Sequence, residues 1–294
     1  MYEKIKKYFI KIIKYIKKHG LIWTFKISLY LIYSRFIYPK FITFINIFTV
    51  DYLIHKRRMK ISSLLAKQMN DTIGYGPFKG LIIKHRNDWN GNMFLGIYEQ
   101  EVLQLFQKFP KKYNTLINIG AADGYYAIGG LVSGLFNKTY CFELSKKSRI
   151  NILKNAILNR VQNDIKIFGI AKSGFTRKLK KAGANLEKSI IICDIEGNEF
   201  ELFNKQVFGL FKKSILVIEV HDWHENGKSR YKKLKKNAGR YFKIQEIQSG
   251  TRDLSIFPEI KNLKDNDRWL LCSEGRHYAQ TWLILKPKKS NFKN

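Results

Sequence analysis

The stretch from Leu116 to Tyr126 reads Leu-Ile-Asn-Ile-Gly-Ala-Ala-Asp-Gly-Tyr-Tyr, an apolar run that halts on glycine, turns, and resumes at helical spacing. Lacking a side chain, Gly120 lets the backbone turn tightly and approach a ligand. Gly124 lets a helix start close against the preceding strand. Neither a dinucleotide G-x-G-x-x-G nor a phosphate-binding G-x-x-x-x-G-K-[ST] occurs here, so the spacing favours a nucleoside without pyrophosphate. The following apolar run ends in Cys141-Phe142-Glu143. That places a carboxylate about 20 residues after the turn, where an acid accepts hydrogen bonds from ribose hydroxyls.

Two later apolar runs end in polar clusters, Asp194-Ile195-Glu196-Gly197-Asn198-Glu199 and Glu219-Val220-His221-Asp222-Trp223-His224. Acids and histidines at strand ends, rather than on helix faces, suit orienting or deprotonating a bound substrate. Asp194 and His221 are the leading candidates for a general base, with Glu196 and His224 next. For any one of them the simpler role is a helix cap or a loop charge, as for Asp194 or Asn198. Asp194, Glu196, Glu219 and His221 could together hold a divalent cation, but no ligand spacing compels one and no metal is assigned.

These residues need a sheet to bring them together. From Thr115 onward, apolar runs of strand length alternate with helical segments, the rhythm of βαβ units and a mostly parallel sheet. Strands are expected at 115–119, 139–143, 165–170, 189–194, 215–220, 241–247 and 281–285. Helices are expected at 125–135, 146–159, 199–213 and 229–239. The fold class that follows is α/β, a Rossmann-like, doubly wound, mostly parallel sheet of seven strands.

Three zones precede and include that sheet: an arm over 1–50, a connector over 51–112 with a helix from Gln100 to Phe109, and the main domain over 113–294. In the first 60 residues, fourteen Lys and Arg face only Glu3 and Asp51. At 100° per residue Lys4, Lys7, Lys11, Lys14 and Lys18 share one side, and Ile5, Phe9, Ile12 and Ile16 the other. From Leu21 to Val50, Lys26, Arg35 and Lys40 interrupt the apolar sequence before it reaches the roughly 20 residues of a membrane span. The pattern is also not that of a secretory signal. An interfacial helix on an anionic bilayer is the sharper expectation, and an amphipathic helix packed on the protein's own core the simpler one.

The formal net charge of +31 draws anionic partners without choosing among nucleic acid, phospholipid and phosphorylated substrates, and the simpler reading of the excess is a coding bias towards Lys alongside Ile, Asn, Tyr and Phe. No RNA-binding module is visible, and no specific nucleic-acid partner is assigned. Cys141, Cys193 and Cys272 are odd in number and lack C-x-x-C spacing, which argues against disulfides and zinc and favours a reducing, cytoplasmic setting.

The sequence resembles the FkbM-type methyltransferases, a Rossmann-like class that uses S-adenosylmethionine. The resemblance runs from about Gly76 to Pro287 and rests on four stretches. They are Gly96-Ile97-Tyr98-Glu99, Asn118 to Tyr126, Asp194 to Glu199, and Ile218-Glu219-Val220-His221. It implies S-adenosyl-L-methionine as cofactor, held by Asn118, Gly120, Ala121, Asp123, Gly124, Glu143 and Asp194, with Asp194, His221 and Glu196 on the catalytic side. It further implies O-methylation of a hydroxyl on a glycan or glycolipid acceptor. Two positions depart from the family pattern. Asn118 stands where an Asp is usual, which keeps an acceptor but loses charge attraction, and Ala122 stands where Asn is common.

Overall fold

The computed structural model describes residues 20, 25–26, 50–86, 90–223, 226–276 and 279–288. The chain divides into two compact units, Met1–Arg57 and Arg58–Asn294. A helix, α1, runs over Val50–Gln68. It is followed by α2 (Gly91–Phe94) and α3 (Gln100–Lys108), and then by the sheet and its helices.

The elements of that sheet are β1 (Thr115–Ile119), α4 (Tyr125–Val132), β2 (Lys138–Phe142), α5 (Lys146–Leu158), β3 (Ile165–Phe168), α6 (Phe175–Lys181) and β4 (Ser189–Cys193). They continue with α7 (Glu199–Leu202), α8 (Lys205–Leu210), β5 (Ile215–Val220), α9 (Gly227–Ala238), β6 (Phe242–Gln248), α10 (Asp265–Cys272) and β7 (Thr281–Pro287). The seven strands form one sheet in the order β3-β2-β1-β4-β5-β7-β6. All neighbours run parallel except β7, which is antiparallel to both β5 and β6. This is the α/β, Rossmann-like fold expected from the alternation of strands and helices.

The inner strands are near-continuous Ile, Leu and Val because helices cover both faces. Leu116, Ile192, Val217 and Ile284 point into one core layer with Ile61, Leu65, Phe78, Phe94, Leu103 and Phe106. Ile117, Ile191, Leu216 and Leu283 point into the other with Phe175, Leu179, Phe203, Phe208 and Phe211. Alternate residues of each strand therefore face opposite layers. Residues between Ile61 and Phe106 thus build the first layer rather than merely leading to the sheet.

Three local expectations need correction, among them helix α10, which forms where no helix was expected. The single helix expected over 199–213 is broken, because Asn204 leaves the helix and its side chain accepts the Val207 N–H at 3.0 Å, capping a new start. Helix α6 lies in a stretch read as having no helix. Only Phe175 and Leu179 of its seven residues are buried, too few for an apolar periodicity to stand out among its lysines.

Strand order reverses direction between β1 and β4, which lie side by side although β2 and β3 come between them in sequence. In open α/β sheets the crevice outside the carboxyl ends of the strands at such a switch point is where ligands bind. Gly120 follows β1 and Asp194 follows β4, so both stand at its mouth.

Candidate functional site

On the β1 side the site is made chiefly of backbone. Gly120 has φ +82° and Gly124, the residue before α4, has φ +92°. Their tightness has different causes. A Cβ on Gly120 would stand 1.7 Å from the Asp194 carbonyl oxygen, whereas one on Gly124 would meet the flexible end of Ile128 at 2.7 Å. The absent side chain at Gly120 is thus demanded by the approach of β4, and a branched residue there would disturb the sheet itself.

Ala122 adopts φ +45°, a left-handed conformation that costs an L-residue about 1–2 kcal/mol and that Asn or Gly would take more easily. The Glu143 carboxylate beside this turn accepts the Ala122 N–H at 2.9 Å and the Ser145 N–H at 2.7 Å. Two oxygens with about four lone-pair positions leave it able to accept two further hydrogen bonds. Asp123 instead faces α5, where its carboxylate accepts Asn151 Nδ2 at 3.1 Å and its carbonyl accepts Asn155 Nδ2 at 3.0 Å. Ala121 is buried behind the turn. Asn118 is 2% exposed, and its Oδ1 has no hydrogen-bond partner among the described residues. Strand alternation puts Asn118 on the same sheet face as Asp194.

The β4 and β5 side is made of ionisable side chains. His221 is buried, and its Nδ1 lies 3.2 Å from Glu199 Oε1, which also accepts the His221 backbone N–H at 3.0 Å. The other Glu199 oxygen accepts the Gly197 N–H at 2.8 Å, so this wholly buried carboxylate is fixed at both ends. His221 Nε2 faces Asp194 Oδ1 and Glu196 Oε2, each at 3.4 Å, and Trp223 packs edge-on against the imidazole at 4.9 Å. The Asp194 side chain is half-exposed, yet its Oδ1 is shielded from solvent and without a hydrogen bond. Asp194, Glu219 and His221 each contribute one ligand-type atom to a cluster in which those atoms lie within 4.8 Å of one another.

Behind this cluster runs a network of buried charge. Arg276 bridges Glu99 and Glu219, and its Nε meets Glu274 at 2.8 Å. Glu274 in turn pairs with Arg252 at 2.6 Å, which grips Glu101 through 2.6 and 3.1 Å contacts. Tyr126 donates its hydroxyl to Glu99. Because carboxylates outnumber cations here and lie out of water, burial and the Glu219 charge push Glu99 up to about 8. Burial and the Glu99 charge raise Asp194 to about 7, and burial with Asp194 raises Glu219 to about 8. Burial alone would lower His221, but its bond to Glu199 and the surrounding carboxylates win, and its pKa is raised.

The sequence-derived residues Asp194, Glu196 and His221 are therefore brought together, and Gly120, Gly124 and Glu143 meet at the neighbouring turn. Glu199, Glu99, Glu274 and Arg276 were not anticipated as site residues. Glu99 and Glu199 lay inside the stretches that carry the family resemblance, which was a signal; nothing near Arg276 in sequence marked it. His224 and all of residues 1–49 except Gly20, Phe25 and Lys26 lie outside the described residues, and with them the amphipathic arm. Among the described residues no helix is long and apolar enough to cross a membrane. The three cysteines are free and buried.

No protein-family model and no curated relative matches the sequence. Solved structures match at low similarity. An O-methyltransferase from Bacillus cereus in complex with S-adenosylhomocysteine is 10% identical, with a TM-score of 0.44 over 78% of this chain and 90% of that one. A protein of the NAD-binding Rossmann superfamily from Streptococcus agalactiae is 17% identical, with a TM-score of 0.43 over 66% and 70%. A Bacillus subtilis tRNA (m1A22) methyltransferase is 8% identical, with a TM-score of 0.39 over 63% and 65%.

Proposed function

We propose that the chain is an S-adenosylmethionine-dependent O-methyltransferase of the FkbM type that acts on a hydroxyl of a glycan or glycolipid. The observation that carries this reading is the anchored Glu143. Its carboxylate is held by two backbone N–H groups at the mouth of the switch point, beside a glycine turn that has no phosphate-binding pattern. A carboxylate so placed accepts two ribose hydroxyls. The buried, unpartnered Oδ1 of Asn118 fits an acceptor for an amino group of the donor.

When bound, the cofactor supplies a methyl group already activated on a sulfonium, so the protein's task is alignment and removal of one proton. Asp194, Glu196 and His221 stand together on the acceptor side, and this group is placed to take that proton. Glu143 and Asn118 would hold the cofactor at the glycine turn, its methyl would go to the acceptor oxygen, and the acceptor-side cluster would take the hydroxyl proton. Docking of the basic arm over 1–50 on an anionic, cytoplasm-facing membrane would present lipid-linked acceptors.

Purified protein with methyl-labelled S-adenosylmethionine is expected to label a lipid-linked glycan fraction and not total RNA. Label in RNA alone would replace the glycan reading with a nucleic-acid one. Replacing Lys7, Lys11 and Lys14 by Glu is expected to abolish co-sedimentation with anionic vesicles while leaving cofactor binding intact. Unchanged co-sedimentation would return the arm to a packing role.

A further inference from the structure

We propose that Asp194 Oδ1, a Glu219 carboxylate oxygen and His221 Nε2 form a binding site for one divalent cation at the carboxyl ends of β4 and β5. Three observations besides the acidic composition of the cluster point there. First, His221 is 2% exposed, and its Nδ1 and backbone N–H are both taken up by the wholly buried Glu199. A carboxylate behind one ring nitrogen fixes the imidazole and directs the other nitrogen's lone pair outward, the arrangement that metal-binding histidines adopt.

Second, what that nitrogen faces is no hydrogen-bond partner of ordinary length. Asp194 Oδ1 and Glu196 Oε2 each stand 3.4 Å away, beyond the roughly 2.7–3.2 Å of an N–H···O bond. Such a separation suits the edge between two ligands of a single ion bound at about 2.0–2.4 Å. Third, Asp194 Oδ1 is shielded from solvent and has no hydrogen-bond donor among the described residues. A cation would satisfy that orphaned oxygen and offset the surplus of buried carboxylates that Arg276 and Arg252 bridge only in part.

Two carboxylates and one imidazole select a divalent ion of borderline hardness, for which Mn2+ is a spectroscopically useful probe. Glu196, exposed and adjacent, is placed to contribute a further oxygen. The site itself stands on these residues alone. Its role as a Lewis acid lowering the pKa of an acceptor hydroxyl rests on the methyltransferase reading.

The test uses the full chain, freed of metals with chelator and titrated with Mn2+ by electron paramagnetic resonance, beside a separate titration with S-adenosylhomocysteine. One Mn2+ per chain is expected. Asp194→Asn and His221→Gln should each weaken it at least tenfold, and Glu199→Gln by about 10–100-fold through loss of the imidazole's anchor. Glu143→Gln should leave it unchanged. In the parent chain, which needs no variant to fold, substoichiometric Mn2+ should broaden the His221 imidazole proton resonances first among the histidines. Absence of saturable binding, binding unaltered by Asp194→Asn, or broadening of a different histidine would overturn the site. If S-adenosylhomocysteine binds while Mn2+ does not, the cation site fails and the donor reading stands; the opposite outcome separates them the other way.

Discussion

The two halves of the crevice are built by opposite means. At the end of β1 the working parts are backbone: two left-handed glycines, a strained Ala122, and a Glu143 carboxylate held by main-chain N–H groups. At the ends of β4 and β5 they are side chains, the buried Glu199, Glu219 and His221 with the half-exposed Asp194, backed by Glu99 and Arg276 from distant segments. A backbone-built half tolerates loss of one hydrogen bond but not of space. A charge-built half tolerates changes of shape better than loss of one partner, because the charge left behind stays buried.

The largest expected effect is kinetic. Asp194→Asn keeps shape and removes the charge, and turnover should fall by about 10²–10⁴ while affinity for S-adenosylhomocysteine changes less than about tenfold. Steady-state kinetics beside calorimetric titration checks this, and parental turnover would move the base elsewhere.

Arg276→Met should come next, costing about 3–5 kcal/mol in urea-denaturation stability because Glu99, Glu219 and Glu274 lose their shared cation. Gly120→Val should cost more than about 2 kcal/mol, since its Cβ collides with the Asp194 carbonyl rather than with a flexible side chain. A Gly120→Val protein of parental stability would show that the β1–β4 approach is looser than described.

A smaller, sign-specific effect should appear with pH. Glu99 is raised from its ordinary 4.5 to about 8, so its favourable contribution is present below pH 4.5 and is lost as pH rises through 8. Stability measured in chelator should fall from pH 5.5 to 8, and Glu99→Gln should flatten that fall; a rise over the same window would contradict the burial argument. Ala122→Gly should have the smallest effect. Relief of the left-handed strain should raise stability by up to about 1 kcal/mol, read as an increase in Tm.

The same contrast explains what was legible in the sequence. The β1 half is one contiguous stretch, so its turn, its helix start and its companion Glu143 could be read directly, and the strands around it are apolar runs. Asp194, Glu196 and His221 were found because each ends an apolar run. Arg276 was not, because it reaches Glu99 and Glu219 only through the antiparallel return of β7 beside β5, a tertiary fact with no local pattern. At Gly120 the tight turn is legible, but the close approach of the Asp194 carbonyl, which also requires glycine, has no local signal. Helix α6 escaped because two buried residues do not make a period.

Binding of the methyl donor to the backbone-built half is the central claim, and calorimetric titration of the full chain with S-adenosylhomocysteine tests it most directly. Saturable binding to one site per chain is expected, with stabilisation of about 2.7 kcal/mol at 100 times the dissociation constant. Glu143→Gln should weaken it by about 10–100-fold through loss of charge-assisted hydrogen bonds, at unchanged fold. No saturable binding at millimolar ligand, or binding indifferent to Glu143→Gln, would contradict the account.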